Sequence, residues 1–113
     1  MKKENIVIDD FMKIDIRVGL VVEATPVPDS KKLIKLVVNL GEDYGIVTIL
    51  TGLLAHFPEP TVFSGKKYLF LANLASRKMA GIDSQGMFLA ADGADKPNVI
   101  EMPEDTPIGA FVH

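Results

Sequence analysis

Cysteine and tryptophan are absent from this chain of 113 residues, and histidine occurs only twice. The lack of cysteine excludes disulfides, cysteine metal sites and thiol catalysis. The two histidines, His56 and His113, lie far apart and do not have the spacing of metal ligands. We therefore expect neither a metal centre nor another cofactor.

Membrane, export and catalytic signals are missing as well. No apolar run approaches the roughly 20 residues that cross a bilayer. The N-terminal lysines are not followed by the apolar segment of a signal peptide. Phosphate loops, dinucleotide fingerprints and nucleophile elbows do not occur. We expect a cytoplasmic chain that makes no membrane contact and carries no catalytic residues.

What the chain does contain is enough apolar material for a core. Hydrophobic residues make up 48% of the sequence, and the length predicts a single domain over residues 1–113. The net charge of −3 argues against a protein that simply coats nucleic acid with positive charge. Acidic residues are concentrated in residues 92–113, however, so the central part of the chain has a positive excess and can form a basic face.

Alternating apolar residues predict five main strands, at residues 14–24, 33–40, 44–50, 68–74 and 87–91. A short helix is expected at residues 53–57, before Pro58, with a loop at 60–65. Gly19 predicts a bulge or bend inside the first strand. We predict an all-β fold: a five-stranded OB-type barrel with a short helical insert, an N-terminal arm at residues 1–10 and a C-terminal extension at residues 93–113.

Two basic pairs fall in the loops that border the ligand face of such a barrel. OB folds bind ligands across strands two and three, between the loop joining strands one and two and the loop joining strands four and five. The first of these loops ends with Lys31 and Lys32, and the second, at residues 75–86, contains Arg77 and Lys78. A long, polar loop between buried strands is typical of a binding element, although a mobile, solvated connector has the same composition.

The aromatic residues favour one class of nucleic acid over another. Most of them are expected in the core, with Tyr44 as the most plausible base contact. No row of aromatic residues is evident, which disfavours a protein that stacks the successive bases of a single strand. Structured RNA is recognised through its backbone and shape and requires fewer aromatic contacts.

Several segments, occurring in order along the chain, resemble a known family. This is the tRNA-binding domain found at the C-terminus of many bacterial methionyl-tRNA synthetases and as free-standing tRNA-binding proteins. The resemblance extends from Phe11 to the C-terminus. It rests on FMKIDIRVG at 11–19, KLIKL at 32–36, TGL at 51–53, GKK at 65–67, NL at 73–74, RKM at 77–79 and SQGM at 84–87.

The resemblance implies an OB barrel whose C-terminal extension helps to form a homodimer and whose ligand is tRNA, bound by its shape. The chain departs from the family at Ala75 and Ser76, where relatives often have Lys-Pro, and at Ala80, where they often have a basic residue. Such a loss of charge would weaken or displace the contact with tRNA. Arg17, within the N-terminal signature, could be structural instead. The predicted tRNA-binding residues are Arg17, Lys31, Lys32, Lys35, Asn73, Arg77, Lys78, Ser84 and Met87.

We therefore expect a non-catalytic tRNA-binding module. It would act free-standing, or as the C-terminal part or β subunit of a methionyl-tRNA synthetase with that enzyme's catalytic domain as a partner. The signatures of the catalytic domain are absent from these residues. The alternative is a dimeric, protein-binding, chaperone-like OB-fold protein, which the acidic net charge favours and the basic loop disfavours.

Overall fold

The computed structural model describes all residues, 1–113. Its only α-helix is one turn, α1 (Ile8–Phe11), and a 3₁₀ helix spans Pro60–Phe63. None of the helices has the length and apolarity that a membrane crossing requires. The remaining elements are strands: β1 (Ile16–Pro26), β2 (Ile34–Asn39), β3 (Ile46–Thr51), β4 (Lys67–Leu71), β5 (Arg77–Met79), β6 (Ile82–Ser84), β7 (Met87–Phe88), β8 (Ala90–Ala91), β9 (Asn98–Val99) and β10 (Phe111–Val112).

Five antiparallel strands form a curled sheet in the order β3-β2-β1-β4-β7. The long strand β1 belongs to both halves of this sheet, because its first part pairs with β4 and its second part pairs with β2. The sheet curls so that residues 84–86, just before β7, lie beside the free edge of β3. This confirms the predicted five-stranded, OB-type architecture.

The curl of β1 is produced at a residue other than the one predicted. The register between β1 and β2 shifts between Val21 and Glu23, which places the bulge at Val22. As a result Val21 is buried and Val22 is half exposed, the reverse of the simple alternation predicted for this strand. Gly19 is required for close packing, since a Cβ there would lie 2.6 Å from Val38 Cγ1 and 2.8 Å from Phe70 Cδ2. It lets the strand pass close over the core.

The helical insert between the third and fourth strands is present, but its position was predicted wrongly. Residues 53–57 form only a turn, closed by the Phe57 amide, which donates to the carbonyl of Leu53 at 2.9 Å. The 3₁₀ helix comes later and begins at Pro60, whose fixed φ suits the first helical position. It brings Phe63 into the core, where the Phe63 ring centroid lies 5.6 Å from Phe88 and 5.7 Å from Tyr68.

Aromatic residues fill the centre of the barrel, as predicted. Phe70 stacks on Phe88 at 5.1 Å, and Tyr68 meets Phe88 edge to face at 5.2 Å. Burial, followed by the negative charge of Glu101, raises the pKa of Tyr68 to about 12. Phe111 is an exception among the aromatic residues, because 69% of it is exposed.

The C-terminal extension follows β4 and then returns to β1. The Met102 amide donates to the carbonyl of Lys67 at 2.8 Å, and the Lys67 ammonium donates to the carbonyls of Glu104 and Thr106 at 2.6 and 2.7 Å. Strand β10 then pairs with the start of β1. The extension is therefore held to its own barrel by backbone hydrogen bonds and by the Lys67 ammonium group.

Candidate nucleic-acid interface

Strands β2 and β3 have one buried face and one outward face. Leu36 and Ile49 are directly opposite each other and are buried in the core. The alternate positions point outward, because successive side chains of a strand lie on opposite faces of the sheet. In β2 the outward residues are only partly buried. The pairs on this face are Lys35 with Leu50, Val37 with Thr48, and Asn39 with Ile46, and of these residues Leu50 is buried, at 4% exposure.

The loop before β2 presents Lys31 and Lys32 in a fixed backbone. The hydroxyl of Ser30 accepts hydrogen bonds from the amides of Lys32 and Leu33 at 3.2 and 3.1 Å. The amide of Leu54, just beyond β3, donates to the carbonyl of Lys32 at 3.1 Å. Both lysine side chains are exposed. The loop therefore holds two free cations at the end of the sheet where β2 begins and β3 finishes.

The loop predicted at residues 75–86 is largely a β-hairpin. Strands β5 and β6 pair from Arg77 opposite Ser84 to Met79 opposite Ile82. Ala80 and Gly81 form the turn, with φ of 50° and 78°. Positive φ at both central residues is the type I′ geometry, which matches the twist of a hairpin. Gly81 adopts it without strain, whereas Ala80 adopts it at a small steric cost.

The base of this hairpin is fixed to the edge of β3. Ser84 is 2% exposed, and its hydroxyl accepts a hydrogen bond from the Leu50 amide at 2.9 Å. The amide of Gln85 donates to the carbonyl of Thr48 at 2.8 Å. A Cβ at Gly86 would lie 2.7 Å from the carbonyl oxygen of Leu71, so the backbone here requires glycine. These contacts close the barrel between β3 and the segment that leads into β7.

The two basic residues of the hairpin lie on opposite faces of it. Arg77 shares the face of Ser84, which is directed at β3, and it is exposed without an ion-pair partner. Lys78 lies on the other face, opposite Asp83, with 3.6 Å between Lys78 Nζ and Asp83 Oδ1. Both side chains of this pair are well exposed. The predicted pair Arg77–Lys78 is therefore one free cation and one cation with a carboxylate beside it.

Five of the predicted residues, four of them cations, lie at one end of the sheet. Lys35 pairs with Leu50, Leu50 is bonded to Ser84, and Ser84 pairs with Arg77. With neighbouring strands about 5 Å apart, Lys35 and Arg77 are separated by roughly 15 Å of backbone. Lys31 and Lys32 precede β2 at the same end. Met87 is 40% exposed on β7, outside this chain of neighbours.

Arg17 and Asn73 have internal partners instead. Arg17 is 6% exposed, and its guanidinium donates to Asp15 at 2.7 Å and pairs with Asp43 at 3.0 Å. Its Nη1 also donates to the carbonyl of Gly109 at 3.2 Å. The Asn73 amide group accepts from the Asp15 amide at 2.9 Å and donates to the carbonyl of Lys13 at 2.7 Å.

Asp15 connects these two residues, because its carboxylate accepts from Arg17 and its backbone amide donates to Asn73. The hydrogen bond from Arg17 lowers the pKa of Asp15; burial opposes this change, and the Tyr44 hydroxyl, which donates at 2.5 Å, adds to the lowering. The same contact with Asp15 raises the pKa of Tyr44. The Tyr44 ring also lies 5.3 Å from the Arg17 guanidinium. The Tyr44 hydroxyl is therefore bonded to Asp15, and its ring lies near Arg17. A contact between Tyr44 and an RNA base stays a prediction.

A curled, five-stranded sheet with a largely uncharged outward face, and with exposed cations at one end of that face, places this chain in the OB class of β-barrels. A family model described as "Putative tRNA binding domain" matches residues 16–110, which is most of the chain. The chain belongs to this tRNA-binding domain family.

Relatives and solved structures agree with that assignment. The chain is 39% identical over 111 residues to a methionine–tRNA ligase from Methanococcus aeolicus, and 46% identical over 93 residues to one from Cytophaga hutchinsonii. The matches cover 98% and 82% of this chain but only 16% and 13% of those enzymes. A crystal structure of a MetRS-related protein from Pyrococcus horikoshii has a TM-score of 0.90 and 40% identity, and the match covers 98% of this chain and all of that one. A CsaA chaperone protein from Picrophilus torridus shares the fold, with a TM-score of 0.85, 24% identity and coverage of 96% and 100% of the two chains.

Proposed function

We propose that this chain is a non-catalytic module that binds structured tRNA at the end of the β2–β3 face. The observation that carries the proposal is that a tRNA-binding domain family includes this chain and that the exposed cations of the two bordering loops lie at one end of that face. Lys31, Lys32 and Arg77 have no carboxylate partner, so each is free to meet a phosphate. Lys35 lies between them on β2.

The middle of the face supports recognition by shape. Its outward residues Val37, Thr48 and Ile46 offer apolar contact and one hydroxyl but no aromatic ring. Base stacking, which dominates the binding of unstructured single strands, has no platform there. Contacts with ribose and phosphate, arranged by the fold of the RNA, suit such a surface.

The length of the match supports an auxiliary part in aminoacylation. The chain spans about a sixth of the length of the methionine–tRNA ligases that it matches. Attached to a synthetase catalytic domain, or assembled with one in the cytoplasm, the module would raise the effective concentration of tRNA at that domain. On its own it should not charge tRNA with methionine.

We also propose that the module is a homodimer. The sequence assigns the dimer contact to the apolar residues of the C-terminal extension. Of these, Val99, Met102, Ile108 and Val112 are half-buried against their own chain, whereas Ile100 and Phe111 are 39% and 69% exposed. The N-terminal arm and α1 add further exposed apolar side chains, and such a set usually marks an interface. The proposed dimer surface comprises Ile6, Val7, Ile8, Met12 and Phe111.

The same apolar surface could bind an unfolded polypeptide. A protein-binding, chaperone-like function is therefore the alternative. An assay that measures binding of tRNA and of an unfolded polypeptide side by side separates the two functions. Binding of the polypeptide alone would support the alternative and contradict the tRNA proposal.

The tRNA proposal is tested by the salt dependence of binding. Each neutralised phosphate of a duplex-like backbone contributes about −0.9 to the log–log slope. Replacing Arg77 and Lys78 together by alanine should flatten the slope by between one and two units, because Lys78 is shared with Asp83. Replacing Lys2 and Lys3 by alanine makes the same charge change on the exposed N-terminal arm and should alter the slope much less. Equal losses from the two double variants would show that diffuse charge, and not the hairpin, holds the RNA.

A further inference from the structure

Lys78 is the one cation of the two loops and β2 that already has a carboxylate within ion-pair distance. Its Nζ lies 3.6 Å from Asp83 Oδ1. Lys31, Lys32, Lys35 and Arg77 make no such pair. From this difference, and resting on the proposed function, we propose that Asp83 is a built-in competitor for RNA phosphate that occupies Lys78 in the free protein.

The hairpin fixes the two residues opposite each other. Lys78 and Asp83 are directly paired in the register of β5 and β6, and opposite residues on one face have Cβ atoms about 5 Å apart. The base of the hairpin is tied to β3 through Ser84 and Gln85, and its turn is only two residues long. The register of the hairpin therefore keeps Asp83 opposite Lys78.

The pair is exposed enough for phosphate to displace it. The Lys78 and Asp83 side chains are 68% and 63% exposed, so their attraction is screened by water and salt and is small. A phosphate that binds Lys78 exchanges one anion for another, and it also approaches the Asp83 carboxylate. Both effects reduce what Lys78 contributes to RNA affinity.

Arg77 provides the contrast within the same hairpin. It faces the barrel, opposite the neutral Ser84, and no carboxylate competes for it. Adjacent cations of the hairpin should thus contribute unequally. Arg77 supplies most of the phosphate contact, and Asp83 sets the contribution of Lys78.

A double-mutant cycle tests this assignment. The variants are Asp83→Asn, Lys78→Met and the two combined, with Asp105→Asn as the control that removes the same charge from an exposed site in the C-terminal extension. Binding of unmodified tRNA is measured at several salt concentrations. Retention on heparin, a polyanion that does not require tRNA recognition, is measured beside it.

Asp83→Asn should tighten tRNA binding by about two- to fivefold, the range of an exposed ion pair, and should delay elution from heparin. Most of that gain should disappear in the Lys78→Met background, and Asp105→Asn should have little effect. An equal gain in both backgrounds would mean simple repulsion of RNA by Asp83 and would overturn the proposal, as would no gain. If no variant binds tRNA but the cycle holds on heparin, the competitor role stands and the proposed tRNA function falls.

Discussion

The guanidinium group of Arg17 is almost completely buried, since the residue is only 6% exposed. Moving an isolated ion into a protein interior costs several kcal/mol, so its neighbours must supply compensating contacts. The carboxylates of Asp15 and Asp43 pair with the guanidinium group. The Phe111 ring covers it, with the ring centroid 4.0 Å from Arg17 Cζ. The N-terminal signature residue thus ties the first strand to the turn after β2 and to the C-terminal strand.

Replacing Arg17 by methionine should therefore act on stability. We expect a loss of about 3 kcal/mol in the free energy of unfolding, because removing one partner leaves a partly buried carboxylate uncompensated. Urea denaturation measures the loss, and tRNA affinity is then measured on the folded fraction. A variant of normal stability that no longer binds tRNA would show that Arg17 contacts the RNA directly, as the resemblance allowed.

Asp15 makes the same network sensitive to acid. Its folded-state pKa lies below the ordinary value of 3.8, chiefly because Arg17 donates a hydrogen bond to the carboxylate. A carboxyl group with a lowered folded-state pKa stabilises the fold above its unfolded pKa, and this contribution is lost as the pH falls through the folded pKa. Asp15→Asn should thus be less stable than the wild type near neutral pH, and the difference should shrink below about pH 4. Urea denaturation at both pH values measures it, and a constant difference would mean that the charge of Asp15 is unimportant.

At the scale of the elements, sequence patterns located the main strands because long alternation is a strong signal. They missed the β5–β6 hairpin, whose strands are three residues long and whose turn, Ala80–Gly81, lacks the usual Asn-Gly or Asp-Gly pair. They also placed the helical insert at residues 53–57. Packing of Phe63 into the aromatic core instead favours the later 3₁₀ helix, which begins at Pro60.

The candidate site shows the same division. The locations of Lys31, Lys32 and Arg77 in the two bordering loops followed from the order of strands and the OB fold. The face on which each hairpin residue lies did not, because it depends on a register that a loop prediction does not contain. Ser84 shows this clearly, since a polar residue in a glycine-containing loop is expected at the surface and here it is buried beside β3.

Ser84→Ala tests whether this serine positions the hairpin. The Leu50 amide would lose its acceptor, at a cost of about 1–3 kcal/mol for an unsatisfied buried donor. Hydrogen exchange of the β5 and β6 amides should become faster, and tRNA affinity should fall although no charge has changed. Ser76→Ala, at an exposed position just before β5, is the matched control and should change neither. Weaker binding without faster exchange would indicate a direct contact between Ser84 and RNA.

At the scale of the whole molecule, the cations of the candidate site and the proposed dimer surface belong to different parts of the chain. The unpaired cations of the candidate site lie at the end of the sheet where β2 begins and β3 finishes, although the chain as a whole is acidic. The apolar residues of the proposed dimer surface lie on the N-terminal arm, on α1 and at Phe111, beside the first residues of β1. A dimer formed through the apolar surface would leave the cationic ends of both copies free for RNA.

The last prediction concerns that dimer. Ile8 and Met12 are 69% and 72% exposed, and two copies would bury four such side chains. At about 1 kcal/mol for each side chain only partly buried, replacing both residues by serine should weaken the dimer on the order of a thousandfold. Light scattering at micromolar concentration should show a dimer for the wild type and a monomer for this double variant.

The matched control replaces Val22 and Val62, which are 50% and 47% exposed elsewhere on the barrel, by serine. This control variant should remain a dimer. A wild-type monomer, or equal dissociation of both double variants, would contradict the proposed interface. Because a dimer presents two cationic ends to one RNA or to two, the monomeric variant also shows whether tRNA affinity depends on bivalent contact.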